Sequence, residues 1–118
     1  MKKRVTSKNL RNLIVLEKKI EKQNETGGYD ILWGQVDAVY AEIKQLRQYN
    51  YRGELFNSMQ ISNVNYYLIT IRYISNLTYN MRIRFRSKIF RIIKINNLNE
   101  GDFLLEIIAE EEMKNELQ

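Results

Sequence analysis

The sequence has no cysteine, no histidine and no proline. Without cysteine there can be no disulfide, thiolate zinc site or cysteine nucleophile. Without histidine the commonest general base and metal ligand is gone. About six prolines would be expected at an average usage of roughly 5%. Asparagine and isoleucine are abundant instead, a bias of composition that carries no functional weight. Long apolar runs are also lacking. The longest uncharged stretch, Leu55–Ile71, is broken by Asn57, Ser58, Gln60, Ser62, Asn63 and Asn65. Such groups would be unpaired in hydrocarbon, so no membrane-spanning segment is expected. The opening MKKR resembles the start of a signal peptide. Only Leu13–Leu16 follow as an uninterrupted apolar run, too short for export, and an intracellular protein is expected.

A chain of 118 residues is expected to form one domain, 1–118, around one thin core. Its net charge of +5 conceals strong segregation. Residues 1–22 hold eight Lys/Arg against two Glu, and residues 55–99 hold seven Lys/Arg with no acid at all. Residues 100–118 hold seven acids against Lys114 alone. A basic body with an acidic end suits a polyanion or a neighbouring copy as partner.

Residues 1–11 are basic and polar and are expected to be mobile. Asn12–Ile20 reads as a strand with Ile14, Leu16, Lys18 and Ile20 on one face, a short helix being the competing reading. Glu25-Thr26-Gly27-Gly28 predicts a hairpin turn, since paired glycines supply positive φ. Tyr29–Ile43 is rich in β-branched and aromatic residues. It predicts a long strand bulged near Gly34, with Trp33, Val39, Ala41 and Ile43 opposed to Val36, Ala38 and Tyr40. Arg52-Gly53 interrupts the pattern, and Glu54–Ile61 could form a short helix.

Asn65–Ile74 is the clearest strand, with Tyr67, Ile69, Ile71 and Tyr73 on one face. After a loop at Asn76–Asn80, Met81, Ile83 and Phe85 alternate with Arg82 and Arg84, and Arg86 continues the charged face. Arg86-Ser87-Lys88 turns the chain into Ile89–Ile95. A second turn at Asn96–Asp102 leads to a last strand, Phe103–Ala109, and residues 110–118 form a solvated acidic tail. About six strands, mostly in an antiparallel meander, favour a mainly β fold: a small barrel or a sandwich.

Catalytic candidates fail one by one. Asp30, Asp37 and Asp102 lie in no paired-carboxylate context. Ser87-Lys88 as a serine–lysine dyad sits in a tight turn. Asn97–Asp102 faintly echoes a calcium loop without its opening Asp or full ligand spacing. No Gly-rich phosphate loop occurs. No enzyme, cofactor or metal is expected.

The basic tract says more. Arg82, Arg84 and Arg86 along one strand face repel each other unless an anion lies nearby. Tyr66, Tyr67, Tyr73, Tyr79, Phe85 and Phe90 are interleaved with them, as in barrels that stack bases and neutralise phosphates. Three readings stand side by side: a solvated face over a core of aromatics, contact with phosphates, and pairing with the acidic tail or a neighbouring subunit.

The order Tyr40-Ala41-Glu42-Ile43, Arg52-Gly53-Glu54-Leu55-Phe56, Ile71-Arg72-Tyr73, Met81-Arg82-Ile83-Arg84-Phe85 and Phe90-Arg91-Ile92 resembles the phage head–tail joining family, also termed head-completion or stopper proteins. A closing apolar strand into Glu110-Glu111 completes the likeness, which spans Leu13 to Glu111. Tyr40 stands where the family has Trp, and Ser87 where it has a turn glycine. The acidic tail lies outside the family pattern.

The resemblance implies a small antiparallel β-barrel with a long loop, assembled as a homo-oligomeric ring beneath the portal and its adaptor. A hexamer is the candidate stoichiometry. Such a connector helps retain packaged double-stranded DNA, which it touches without reading sequence, and offers a docking surface to the tail. It belongs at the virion head–tail interface, is assembled in the host cytoplasm, and takes no membrane partner. On that reading Arg82, Arg84, Arg86 and Lys88 form a basic face toward the DNA channel or a ring neighbour. Arg52, Glu54, Phe56, Arg72, Glu110, Glu111 and Glu112 are candidate subunit contacts, with the segment Gln48–Tyr66 and the acidic tail expected to take part in the ring. The competing function is a free single-stranded nucleic-acid-binding barrel.

Overall fold

A computed structural model describes residues 9–46 and 64–112. The short helix expected at Glu54–Ile61 and the candidate contacts Arg52, Glu54 and Phe56 lie outside the described residues, as do residues 1–8 and 113–118.

Among the described residues six strands follow one another: β1 (Asn12–Gln23), β2 (Tyr29–Leu46), β3 (Tyr66–Arg72), β4 (Arg82–Phe85), β5 (Lys88–Asn97) and β6 (Leu104–Glu111). All pairings are antiparallel, and the sheet closes in the order β1-β2-β3-β6-β5-β4. This is a barrel and not a simple meander. β3 pairs with the last strand, so the chain between β3 and β4 crosses to the far side, where β4 closes onto β1.

Alternation accounts for the core. Ile14 and Leu16 on β1, Tyr67, Ile69 and Ile71 on β3, Ile83 on β4, Phe90 and Ile92 on β5, and Leu105, Ile107 and Ala109 on β6 point inward and are buried together. Among the described residues Phe90 is the largest fully buried side chain. It meets Tyr67 edge-on, with ring centroids 5.0 Å apart. Full burial of each such aliphatic or aromatic side chain stabilises by about 1.5–3 kcal/mol.

Two bulges adjust the alternation. On β2, Asp37 pairs with Leu16 and Gln35 with Glu17, which leaves Val36 as the extra residue. The bulge expected near Gly34 is therefore present, two residues further on. Its consequence differs from the expected grouping, because one extra residue reverses every side chain beyond it. Ala41 and Val39 face the core, whereas Trp33 falls opposite Lys19 on the outer surface. On β5 the register shifts between Ile92 and Lys94, so Ile92 and Ile95 both reach the core.

The turn between β1 and β2 holds its expected glycine, with Gly27 at φ 92°. Asn24 organises it: the Asn24 side-chain oxygen accepts hydrogen bonds from the backbone N–H of Thr26 and Gly28. The strand β6 runs to Glu111, so Glu110 and Glu111 are strand residues and the acidic tail begins later than expected.

Candidate functional site

The short strand β4 presents Ile83 to the core, which forces Arg82 and Arg84 outward. β1 lies beside it, with Glu17 opposite Arg82 and Val15 opposite Arg84. That register places one carboxylate between two guanidiniums. Arg82 Nε donates to Glu17 Oε1 at 2.7 Å, and Arg84 Nε donates to Glu17 Oε2 at 2.9 Å. The Glu17 side chain is only 8% exposed, whereas Arg82 and Arg84 are 22% and 42% exposed. Burial pushes the Glu17 carboxyl up, but the two arginine hydrogen bonds and then the charges of both guanidiniums outweigh it. The carboxyl is held below its ordinary value.

The bulge at Val36 completes the arrangement. It turns Trp33 outward, where its ring lies 4.1 Å from the Arg82 guanidinium carbon and 5.8 Å from Lys19 Nζ. Arg91, directly opposite Arg82 on β5, pairs with Glu110. Lys19, Trp33, Tyr79, Arg82, Arg91 and Glu112 line a cleft of about 280 Å³ at this surface.

The other expected basic residues sit differently. Arg86 does not continue the strand face, because it is the first residue of the two-residue turn between Phe85 and Lys88. Its φ is 57°, and its guanidinium lies 4.8 Å from the centre of the Phe85 ring. Left-handed backbone therefore falls on Arg86 and not on Ser87, where the family glycine was expected to matter. Lys88 is exposed; its Nζ lies 3.4 Å from Tyr67 Oη. Tyr67 in turn donates to Glu111 Oε1 at 3.2 Å.

The candidate contacts on β6 thus have partners within the chain: Glu110 takes Arg91, and Glu111 takes Tyr67 and Asn65. Glu112 is exposed, with its backbone N–H donating to Ile89 O at 2.8 Å. Arg72 is exposed at the end of β3, opposite Leu104 and away from the arginine row.

Glu17 is kept ionised between two permanent cations, which makes it a weak base. Among the described residues no group of three or more His, Cys, Asp or Glu is placed to hold a metal ion. The expected turn at Asn97–Asp102 closes on itself. Asn97 Nδ2 donates to Asp102 Oδ1 at 2.7 Å, and the Asp102 backbone N–H donates back to Asn97 Oδ1.

Glu17 and Trp33 are the residues missed from sequence. The signal for Glu17 was its parity: it shares the outward face of β1 with Leu13 and Val15, beside whichever strand closes the barrel. Nothing local marks Trp33, whose side depends on the position of one bulge.

Comparison with known proteins adds the following. A family model described as phage head completion protein matches residues 5–112. No curated protein matches the chain. Among solved structures, a chain from the virion of a native gene transfer agent particle is 22% identical with a TM-score of 0.64, covering 90% of this chain and 97% of that one. The solution structure of protein SF1141 from Shigella flexneri 2a is 17% identical with a TM-score of 0.64, covering 90% and 96%. Both likenesses are of fold.

Proposed function

This chain belongs to the phage head completion protein family, a structural component of phage heads, and we propose that it acts there as a connector subunit between head and tail. In this reading copies form a ring below the portal and its adaptor, help retain packaged DNA and provide the surface on which the tail docks. The observation that carries it is the family match over residues 5–112, nearly the whole chain. The barrel is in keeping with it, and so is the gene transfer agent virion chain of the same fold.

The electrostatics refine which residues would do what. Arg82 and Arg84 share the single charge of Glu17, which offsets half of theirs, so phosphate contact would draw more on exposed Arg86 and Lys88. Ring contacts would draw on exposed Arg72 and Glu112 together with the segment Gln48–Tyr66. A nucleic-acid-binding barrel acting alone is disfavoured by the same ion pairing, since it would spend half the charge of two well-placed cations internally.

Deleting the gene from its phage or prophage tests the reading. Tailless heads that package DNA and then lose it are expected, with infectious particles restored when the gene is supplied in trans. Complete, tailed, DNA-retaining particles in the deletion would refute the connector role. Tight, salt-dependent binding of single strands by the purified monomer, with no association with portal–adaptor particles, would favour the competing barrel.

A further inference from the structure

The strands β1 and β2 outrun the barrel they help to build. β4 pairs with β1 only from Val15 to Glu17, and β3 pairs with β2 only from Ala41 onward. Among the described residues, Lys18–Gln23 therefore pair with β2 alone, and Tyr29–Tyr40 pair with β1 alone. The result is a two-stranded arm, closed at its tip by Gly27-Gly28, with backbone unpaired along both long edges.

The arm has no core of its own. Cross-strand register puts Tyr29 and Ile31 on one face, at 64% and 57% exposure, and Ile20 and Leu32 on the other, at 43% and 49%. An isolated two-stranded hairpin is marginal in water. Apolar side chains on both faces of such a ribbon, with open edges, suit it to further strands beside it.

The charges of its two strands are opposite. Lys18–Gln23 carry Lys18, Lys19 and Lys22 against Glu21 alone, whereas Tyr29–Tyr40 carry Asp30 and Asp37 and no basic residue. The whole arm, residues 18–40, has three lysines and four acids and is close to neutral. Copies of a chain with net charge +5 can therefore approach here without repulsion. We propose that the arm joins copies of this chain to one another, the basic β1 edge of one arm pairing with the acidic β2 edge of the next. Rotation about an axis along the arms brings β1 of one copy antiparallel to β2 of its neighbour. Because the two edges are unlike, the contact is heterologous and repeats around a closed ring. This inference rests on the ring reading above and supplies the surface that would build it.

The absence of cysteine makes the contact directly testable in the full-length chain. Glu21→Cys places a thiol on β1, and Tyr29→Cys, Ile31→Cys and Gln35→Cys place one on the same face of β2. Glu21→Cys protein is mixed with each β2 variant in turn, assembled with portal–adaptor particles and mildly oxidised. The expected result is a disulfide dimer between unlike variants for at least one of the three pairs, with no dimer from any variant alone. Dimers of one variant with itself, or incorporation without a mixed dimer, would overturn arm pairing and leave the ring reading standing. Failure of the wild-type chain to enter the particles would defeat the ring reading and the pairing with it.

A second variant guards against loss of the fold. Lys18→Glu with Lys22→Glu makes both edges acidic and should weaken incorporation about tenfold, as expected when cross-strand charge pairs turn from attractive to repulsive. Its circular dichroism should be that of the intact barrel, because neither residue touches the core. Undiminished incorporation would overturn the proposal.

Discussion

Replacing Glu17 by alanine removes the one carboxylate that holds Arg82 and Arg84 together, and the cost follows from the geometry. Each charge-assisted hydrogen bond contributes roughly 1.5–3 kcal/mol. Breaking a fully buried pair costs about 3–5 kcal/mol, because a charge is stranded away from water. Here the arginines are 22% and 42% exposed and can swing outward, so neither is stranded. The expected loss is about 2 kcal/mol, or about 8 °C in Tm for a domain of this size.

Salt should separate this electrostatic cause from simple loss of packing. With Glu17 gone, Arg82 faces Arg91 across β4 and β5 with Arg84 close by on the same surface, so added salt should recover part of the loss. pH supplies a second signature. The folded carboxyl titrates below its unfolded value, so its contribution is complete above the ordinary carboxylate range. That contribution is lost as pH falls from about 4.3 through the lowered folded value. The wild type should lose this increment on acidification, and the alanine variant should not. Thermal melts across pH and ionic strength measure all three. A loss under about 0.5 kcal/mol with unchanged salt dependence would refute the argument, because it would leave Glu17 no net role in the row.

The same neutralisation predicts that Glu17→Gln strengthens non-specific DNA binding. Removing one negative charge should steepen the salt dependence of binding by about 1 log unit per log unit of salt, read by titration at several ionic strengths; an unchanged slope would show that these arginines do not face the polyanion. At the β4–β5 turn, Arg86→Gly should stabilise by about 0.5 kcal/mol, since relief of the left-handed backbone exceeds the lost contact with Phe85. Ser87→Gly should bring no gain, and the reverse order of the two Tm values would place the turn strain wrongly. Thr70 Oγ1 is buried with no hydrogen-bond partner among the described residues. Thr70→Val should therefore be neutral or stabilising by up to about 1 kcal/mol in denaturant unfolding, and a clear loss would reveal a partner.

Most of the barrel was legible because alternation is a local property. Tyr67, Ile69 and Ile71, or Met81 and Ile83 between arginines, declare their inward face within a few residues. The turn at Gly27-Gly28 declared itself by the same local means. The closure did not. That β3 meets β6 while β4 meets β1 depends on which distant edges bury the most apolar surface, and no short window holds that information. Arg86 opens the turn that Arg86-Ser87-Lys88 predicted; what failed was extending the charged strand face to it, because the backbone has already turned left-handed there.

The site was half legible for a related reason. A row of like charges on a strand signals that something anionic is close, and so it proved for Arg82 and Arg84. The anion's identity needed the closure, since Glu17 lies 65 positions from Arg82 in sequence and reaches it only because β1 and β4 are neighbours. An inventory of charge by segment therefore overstated the basic surface. Segment totals count Arg82, Arg84 and Arg91 as free, whereas the fold pairs the first two with a residue of the basic N-terminal segment and the third with Glu110. What composition presents as a polyanion-binding face is thus, over its densest part, a seam that holds the first strand to the fourth. At its margin, on the β4–β5 turn, Arg86 and Lys88 are exposed and lie outside that seam.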